Sequence, residues 1–444
     1  MIKLTSAPKP LKGEVYVPGD KSISHRSIMF AALAEGTSQI TGFLEGADCL
    51  STIDCFRKMG VLIERSDRPL NGVPTITVHG QGLHGLKEPT TTLYTGNSGT
   101  TTRLLSGILA AQKFDTDITG DESIEKRPMG RIIRPLSDMG ASVTSVKDNG
   151  CCPLHIEGGH NLRGIVYHNQ VASAQVKSCI LLAGLYAQGD TVVHEPALSR
   201  NHTEIMLRYF GADVHNDATR YGPSAAVLHP GMPLYGRKIN VPGDISSAAY
   251  FIAAALLVPG SEVLIHNVGI NGTRAGFLAA LKQMGADITL LNENNDMEPR
   301  ADILVRYSEL RSPNNDTFEL GGKMIPTMID EIPMFAVLAA VANCKTIIKD
   351  AAELKVKESN RIDAIVDNLK AMGADITATE DGMIINGGKP LHGAVIDSHK
   401  DHRIAMSFAI ASLVANGETK IKDEKCVDIS YPTFFRDFNN LKNN

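Results

Sequence analysis

Six Ala- and Leu-rich apolar runs recur along the chain, at 24–35, 99–112, 174–188, 246–258, 332–343 and 402–416. Each has helical length, and apolar residues fall on all its faces, so each predicts a fully buried helix. Most end at Gly or Asn, with a β-type run close behind, as in Gly36-Thr-Ser-Gln-Ile and Gly260-Ser-Glu-Val-Leu. Glycine supplies the left-handed residue that stops a helix. The starts lie roughly 70 to 85 residues apart, longer than the usual short solenoid repeats.

A second helix in each interval ends in a Met-Gly-Ala-like signature. Copies include Phe56-Arg-Lys-Met-Gly60, Leu136-Ser-Asp-Met-Gly-Ala141, Leu281-Lys-Gln-Met-Gly-Ala286 and Leu369-Lys-Ala-Met-Gly-Ala374. Each leads into an alternating strand. A Leu-x-Gly element then precedes the next buried helix, at Leu11, Leu83, Leu162, Leu234 and Leu391; the copy before Ile332 is expected near Phe318-Glu-Leu-Gly-Gly. The chain therefore reads as six strand–helix–strand–helix–strand–strand units in an α/β fold.

Val17-Pro-Gly-Asp20 recurs as Val241-Pro-Gly-Asp244, three units later. The six units thus divide three and three. One domain is expected at 20–243. The other joins 1–19 to 244–444, with crossings at 17–20 and 241–244, because termini tend to lie close together at a domain surface. Three buried helices per domain can point their N-termini alike, and six such dipoles aimed at one interdomain cleft would trap anions.

Composition narrows the partners. The chain has 444 residues, 43% hydrophobic and 21% charged, with a net charge of −5 and no Trp. That excludes a global nucleic-acid footprint and argues against base-stacking platforms. No apolar run reaches membrane-spanning length, and the start, Met1-Ile-Lys-Leu-Thr-Ser, lacks a signal-peptide core. The seven cysteines are irregularly spaced with no Cys-x-x-Cys, which fits a reduced cytoplasmic protein. Cys151 and Cys152 read as strand residues. No oligomer signal stands out, and a monomer is expected.

Candidate chemistry gathers at the helix starts. Lys21-Ser-Ile-Ser-His-Arg26 puts two cations at one start, which suits an anion site or, equally, a solvated turn. Thr95-Gly-Asn-Ser-Gly-Thr-Thr-Thr-Arg103 resembles a phosphate loop but lacks the Gly-Lys-Ser/Thr of a nucleotide P-loop. Gly80-x-Gly-x-x-Gly85 matches the dinucleotide fingerprint formally, but no helix opens after it, so it reads as a hairpin. Arg127 precedes a rigid Pro, and Ser173-Ala-Gln175 opens the third buried helix. Ile329-Asp-Glu-Ile-Pro opens the fifth. Lys357-Glu-Ser-Asn-Arg361 opens a surface helix and has the spacing of a solvated ion-pair face. Asp397-x-His-x-x-Asp-His402-Arg403 opens the sixth; His399 and His402 lack a metal-ligand pattern, so no metal is expected.

Taken together, Pro18-Gly-Asp-Lys-Ser-Ile-Ser-His-Arg26, Gly96-Asn-Ser-Gly-Thr-Thr-Thr-Arg103, Arg127-Pro-Met, Lys357-Glu-Ser-Asn-Arg361 and Asp401-His-Arg403 resemble the 5-enolpyruvylshikimate-3-phosphate synthase family over nearly the whole chain. The resemblance implies two domains of three βαβαββ units each, an inside-out α/β barrel. It implies transfer of the enolpyruvyl group of phosphoenolpyruvate to the 5-hydroxyl of shikimate 3-phosphate, without a cofactor, on the route to chorismate and aromatic amino acids. It also implies site residues. Lys21 would touch both substrates. Ser22, Arg26, Ser173, Lys357 and Ser199 would hold shikimate 3-phosphate, with Gln175 between the substrates. Gly99, Arg127, Arg361 and Arg403 would clamp phosphoenolpyruvate. Asp330 would accept the 5-hydroxyl proton, with Glu358 a second acid–base group.

Two departures stand out. Ile429 occupies the place of a C-terminal Lys found in the plant and enteric branch, with Lys425 near enough to substitute. Ala174 replaces the second Ser of a Ser-Ser-Gln element. Ser98 and Leu104 fit the branch of Gram-positive and similar bacteria. Gly99 is retained where glyphosate-tolerant relatives carry a bulkier Ala, so it argues for herbicide sensitivity and the branch argues against. A rival reading is the fold relative that acts on UDP-N-acetylglucosamine. That family has Lys-Asn after its first turn and a reactive loop Cys, whereas here Ser22 follows Lys21 and residues 120–129 hold no Cys. A non-catalytic anion-binding repeat protein would not need Asp330 or Glu358.

Overall fold

The computed structural model describes residues 1–66, 74–222, 224–313 and 316–443. The chain divides into two compact units, Gly19–Val241 and a discontinuous one made of Met1–Pro18 with Pro242–Asn444.

Among the described residues, the twelve α-helices of eight or more residues alternate in burial along the sequence. The odd-numbered ones are α1 (Lys21–Leu33), α3 (Gly99–Leu109), α5 (Ala174–Gly184), α7 (Ile245–Leu257), α9 (Ile332–Val341) and α11 (His402–Ala411). These are the apolar runs, and they are sequestered almost end to end. The even-numbered ones are α2 (Ala47–Lys58), α4 (Gly130–Asp138), α6 (His202–Phe210), α8 (Gly276–Gln283), α10 (Arg361–Ala371) and α12 (Phe434–Asn443), each with one apolar face inward. The buried helices are shorter than their apolar runs. Past Leu109, for example, the chain tightens into three-residue turns, with Gln112 N–H donating to the Leu109 carbonyl. No single helix among the described residues is long and apolar enough to cross a membrane; a bent pair, Gly322–Met328 with Ile332–Val341, reaches that content only together, and α9 is core.

Five four-stranded sheets share one pattern. In the first, Lys238–Asn240 runs parallel to Glu35–Thr41, which runs antiparallel to Thr75–Gln81, which runs antiparallel to Leu62–Ser66. The last strand of this unit thus completes its first sheet. In the discontinuous unit Lys12–Val15 fills the same place beside Glu262–Gly269. The sixth sheet has three strands, and the N-terminal strand Ile2–Leu4 completes it against Thr419–Ile421.

The Leu-x-Gly elements have a shared structural role. The residue after the Leu donates its N–H to the carbonyl that ends the preceding outer helix: Arg163 to Met139, Tyr235 to Phe210, His392 to Met372. By this bond two copies differ from the sequence expectation. Lys87 bonds Met59, so the second copy is Leu86-Lys-Glu, not Leu83-His-Gly. Arg311 bonds Met284, so the fifth is Leu310-Arg-Ser, not Phe318-Glu-Leu-Gly-Gly. Leu86 and Leu310 are buried; the Leu is what the fold requires, and the Gly is dispensable. Cys151 and Cys152 also differ. They lie in a bend, and the strand starts at Leu154, because Pro153 has no N–H for the ladder. All seven thiols are free. Gly82 takes φ +75° just past Thr75–Gln81 and no helix follows it.

Candidate active site

In the Gly19–Val241 unit the starts of α1, α3 and α5 meet through polar side chains. Asp20 caps α1, accepting from Ile23 N–H at 2.9 Å, which fixes Lys21 and Ser22 at the first turn. Lys21 pairs with Asp48 on α2. Arg26 lies one turn in and is 3% exposed. Its guanidinium donates to the Ser22 carbonyl at 2.9 Å, Thr203 Oγ1 at 2.7 Å and Ser178 Oγ at 2.9 Å, so α1 is tied to α5 and α6. His25 bonds Thr52 Oγ1 at 2.7 Å. Burial, reinforced by Lys21 and Arg26, drives its pKa well below the ordinary value, so it is a neutral polar strut.

Ser98 caps α3, accepting from Thr101 N–H at 3.0 Å. A Cβ on Gly99 would sit 2.9 Å from Arg103 Nη1 and 3.3 Å from Arg127 Nη1. Glycine is therefore what lets two guanidinium groups share that space. Arg103 donates to Gln175 Oε1 at 2.5 Å, and Arg127 to Asn97 Oδ1 at 2.7 Å and Ser123 Oγ at 3.0 Å. Burial, then Arg127 and Arg131, lowers the pKa of Arg103, because burial and neighbouring cations both disfavour its charged form. Arg103 was not among the expected site residues. Its signal was present: it stands four residues after Gly99, on the same helix face. Ser173 caps α5, and its N–H donates to Glu195 Oε1 at 3.0 Å. Ser199 is nearly buried beside the same carboxylate.

In the discontinuous unit the starts of α7, α9 and α11 carry carboxylates with arginines among them. Asp330 stands before α9. Its carboxylate faces Arg361 Nη1 at 3.4 Å, Arg274 Nη1 and Arg403 Nη2 at 3.7 Å, and Lys357 Nζ at 4.0 Å. Arg361 is 0% exposed, so the reading of Lys357 to Arg361 as a solvated face is wrong for that residue. Asp401, the α11 cap, draws it inward at 2.8 Å. Glu358 meets its other side at 2.5 Å. Burial opposes the Glu358 charge, but Arg361 outweighs it and holds the carboxyl below its usual range. His402 is pushed down to about 3, by burial and then Arg403.

Arg274 and Glu331, also missed, brace this cluster. Arg274 is 4% exposed and donates to Ser246 Oγ at 2.8 Å, while Ser246 bonds Glu331. A lone Arg in Asn271-Gly-Thr-Arg274 gave no pattern to find it by. Lys425 is exposed on the short helical segment Glu424–Ile429, and Ile429 is exposed beside it. Among the described residues no group of three or more His, Cys, Asp or Glu could hold a metal ion. Two clefts, of about 450 and 440 Å³, are lined by other residues.

The chain matches the EPSP synthase (3-phosphoshikimate 1-carboxyvinyltransferase) family model over residues 5–438. It belongs to that family. A 3-phosphoshikimate 1-carboxyvinyltransferase of Brevibacillus brevis is 54% identical over 435 residues, 98% of each chain. One of a Thermoanaerobacter species is 53% identical over 432 residues, 97% of this chain and 98% of the relative. These relatives agree with the Gram-positive-like branch. An EPSP synthase structure from Acinetobacter baumannii superimposes with a TM-score of 0.90 at 49% identity, covering 99% of this chain and 97% of that one. Six sheets and paired helices are thus the family's α/β architecture.

Proposed function

We infer that the protein is a 3-phosphoshikimate 1-carboxyvinyltransferase, joining the enolpyruvyl group of phosphoenolpyruvate to the 5-hydroxyl of shikimate 3-phosphate and releasing phosphate. The observation that carries this is full-length identity above one half to relatives of that name, in a chain whose helix starts gather arginines around an open glycine. The reaction belongs to aromatic amino acid biosynthesis. We propose that it runs in the cytoplasm, in a monomer whose two units are its two domains, joined at 17–20 and 241–244.

The chemistry follows from charge. C3 of phosphoenolpyruvate takes a proton and C2 becomes electrophilic. The 5-hydroxyl oxygen bonds to C2 and gives up its proton. The tetrahedral adduct then loses a C3 proton as the C2–O bond to phosphate breaks, giving the new enol ether and phosphate. Asp330, placed among four cations, suits the base for the hydroxyl proton. Glu358 rests as a carboxylate, so it suits removal of the C3 proton in the second half. Lys21 suits delivery of the first proton. Arg127, Arg361 and Arg403, with Gly99 making room, suit the carboxylate and phosphate of phosphoenolpyruvate, because a guanidinium fork binds both bidentately. Arg103 belongs with them through Gln175. Ser22, Arg26, Ser173, Ser199 and Lys357 suit shikimate 3-phosphate. Lys425 is the candidate for the cation that Ile429 does not supply.

Phosphate release tests the reading. It is expected with phosphoenolpyruvate plus shikimate 3-phosphate and not with UDP-N-acetylglucosamine. Release with only the sugar nucleotide would assign the rival transferase, and release with neither would remove the enzyme reading.

A further inference from the structure

A buried charge network lies behind Ser173 and Ser199 in the Gly19–Val241 unit. Lys177, on α5, is 1% exposed. Its ammonium stands 2.8 Å from Glu195 Oε2 and 2.8 Å from Glu204 Oε1. Burial works against that charge, but Glu204 and Glu195 overcome it and its pKa is raised. The two carboxylates are alike toward the lysine and unlike in everything else. Glu195 Oε1 accepts from Ser173 N–H at 3.0 Å, while Oε2 accepts from Ser199 N–H at 3.3 Å and Ser199 Oγ at 2.8 Å. Glu204, on α6, touches neither serine: its Oε2 is buried without a hydrogen-bond partner.

We propose that Glu195, held by Lys177, is a positioning residue that sets Ser173 and Ser199 for the phosphate of shikimate 3-phosphate. This rests on the reading of those serines given above. The two serines lie 26 residues apart in sequence (199 − 173), on the α5 cap and on the segment before α6. One carboxylate reaches both. Every group facing it is a donor: an ammonium, two backbone N–H groups and one hydroxyl. A carboxylate satisfies all four and an amide cannot, since either orientation of Gln sets an NH₂ against a donor. When phosphate binds, the Ser199 hydroxyl turns its proton from Glu195 to the ligand. Glu195 keeps Lys177 and the two N–H groups, so the serines stay placed as that one bond is exchanged.

The test compares the two carboxylates. Glu195→Gln is expected to weaken shikimate 3-phosphate binding about tenfold or more by calorimetry, the scale of a lost charge-assisted hydrogen bond. The KM for phosphoenolpyruvate should stay within twofold. Glu204→Gln breaks the other ion pair of the same lysine and should lower the thermal midpoint comparably, yet leave shikimate 3-phosphate affinity within twofold. Glu195→Gln combined with Ser199→Ala should cost less than the product of the single effects. Should Glu195→Gln not fold, Glu195→Asp, which keeps the charge and withdraws it by one carbon, reads the same affinity. Equal weakening by Glu195→Gln and Glu204→Gln would overturn the inference. So would unchanged affinity in Glu195→Gln while Ser173→Ala and Ser199→Ala each weaken binding, an outcome that leaves the reading of the serines standing. Unchanged affinity in the two serine variants would remove that reading and the inference with it.

Discussion

The two units solve the same packing problem and use opposite electrostatics at its edge. In each, three apolar helices are buried and their first turns carry the polar residues. In the Gly19–Val241 unit, Arg103 and Arg127 are aimed by neutral groups: the Gln175 amide, Asn97 and Ser123. Neutral acceptors fix direction without cancelling charge, so these arginines keep their attraction for an anion. In the discontinuous unit the arginines are aimed by carboxylates. Arg361 sits between Asp401 and Glu358, and Arg274 between Asp244 and Glu331. There the acids orient the cations, and Asp330, the proposed base, stands among four of them. One region points arginines with neutral acceptors, and the other surrounds a carboxylate with cations.

The sharpest way to break this contrast is Asp330→Asn. If that carboxylate takes the hydroxyl proton, kcat should fall about 10²- to 10⁴-fold by steady-state phosphate release. A drop under threefold would return Asp330 to a purely structural role. Next comes the cost of deleting a partner in each unit. Asp401→Ala leaves Arg361 buried beside a vacated site and should destabilise the fold by about 3–5 kcal/mol in urea unfolding. Arg127→Ala, aimed by neutral groups, should change stability by only about 0.5 kcal/mol while raising the KM for phosphoenolpyruvate roughly tenfold. Equal stability losses would erase the distinction between the two units.

A smaller effect sharpens the same point. Gly99→Ala puts a methyl group against the movable ends of Arg103 and Arg127. Stability should hold, and the KM for phosphoenolpyruvate should rise several-fold with shikimate 3-phosphate affinity little changed.

A last effect concerns what the units share, a buried neutral histidine each. His402 is held at about 3 and His25 well below its ordinary value, burial being the main cause in both. Each binds a proton more readily unfolded than folded. Stability is therefore full above about pH 6.5 and falls as the pH drops toward the folded values, by up to about 1.4 kcal/mol per pH unit for each histidine. His402→Gln should flatten the slope of unfolding free energy between pH 6.5 and 4 by one such share, and an unchanged slope would contradict it.

Much of this is legible in the amino-acid sequence. All-round apolar runs could only be buried helices, and the doubled Val-Pro-Gly-Asp exposed the repeat. Helix starts were marked by caps: Asp20, Ser98, Ser173 and Asp401 all serve as such. Much of what stayed hidden has one physical cause. Ion pairing between distant segments reverses the usual meaning of a residue. Arg361 looks solvated by its spacing, yet Asp401, forty residues on, carries it into the core. Lys177 sits in an apolar helix and is accommodated by Glu195 and Glu204. Leu310-Arg-Ser312 lacks the expected glycine because the backbone bond from Arg311, not the glycine, defines that position.

The most direct test of the proposed chemistry is the reaction run in D₂O with phosphoenolpyruvate and shikimate 3-phosphate, followed by mass spectrometry and proton NMR of the product. Addition and elimination pass through a methyl group at C3, so solvent deuterium should appear in the vinyl methylene of the product as phosphate is released. Product formed with no deuterium at that carbon would contradict protonation at C3, and with it the roles given to Lys21, Asp330 and Glu358.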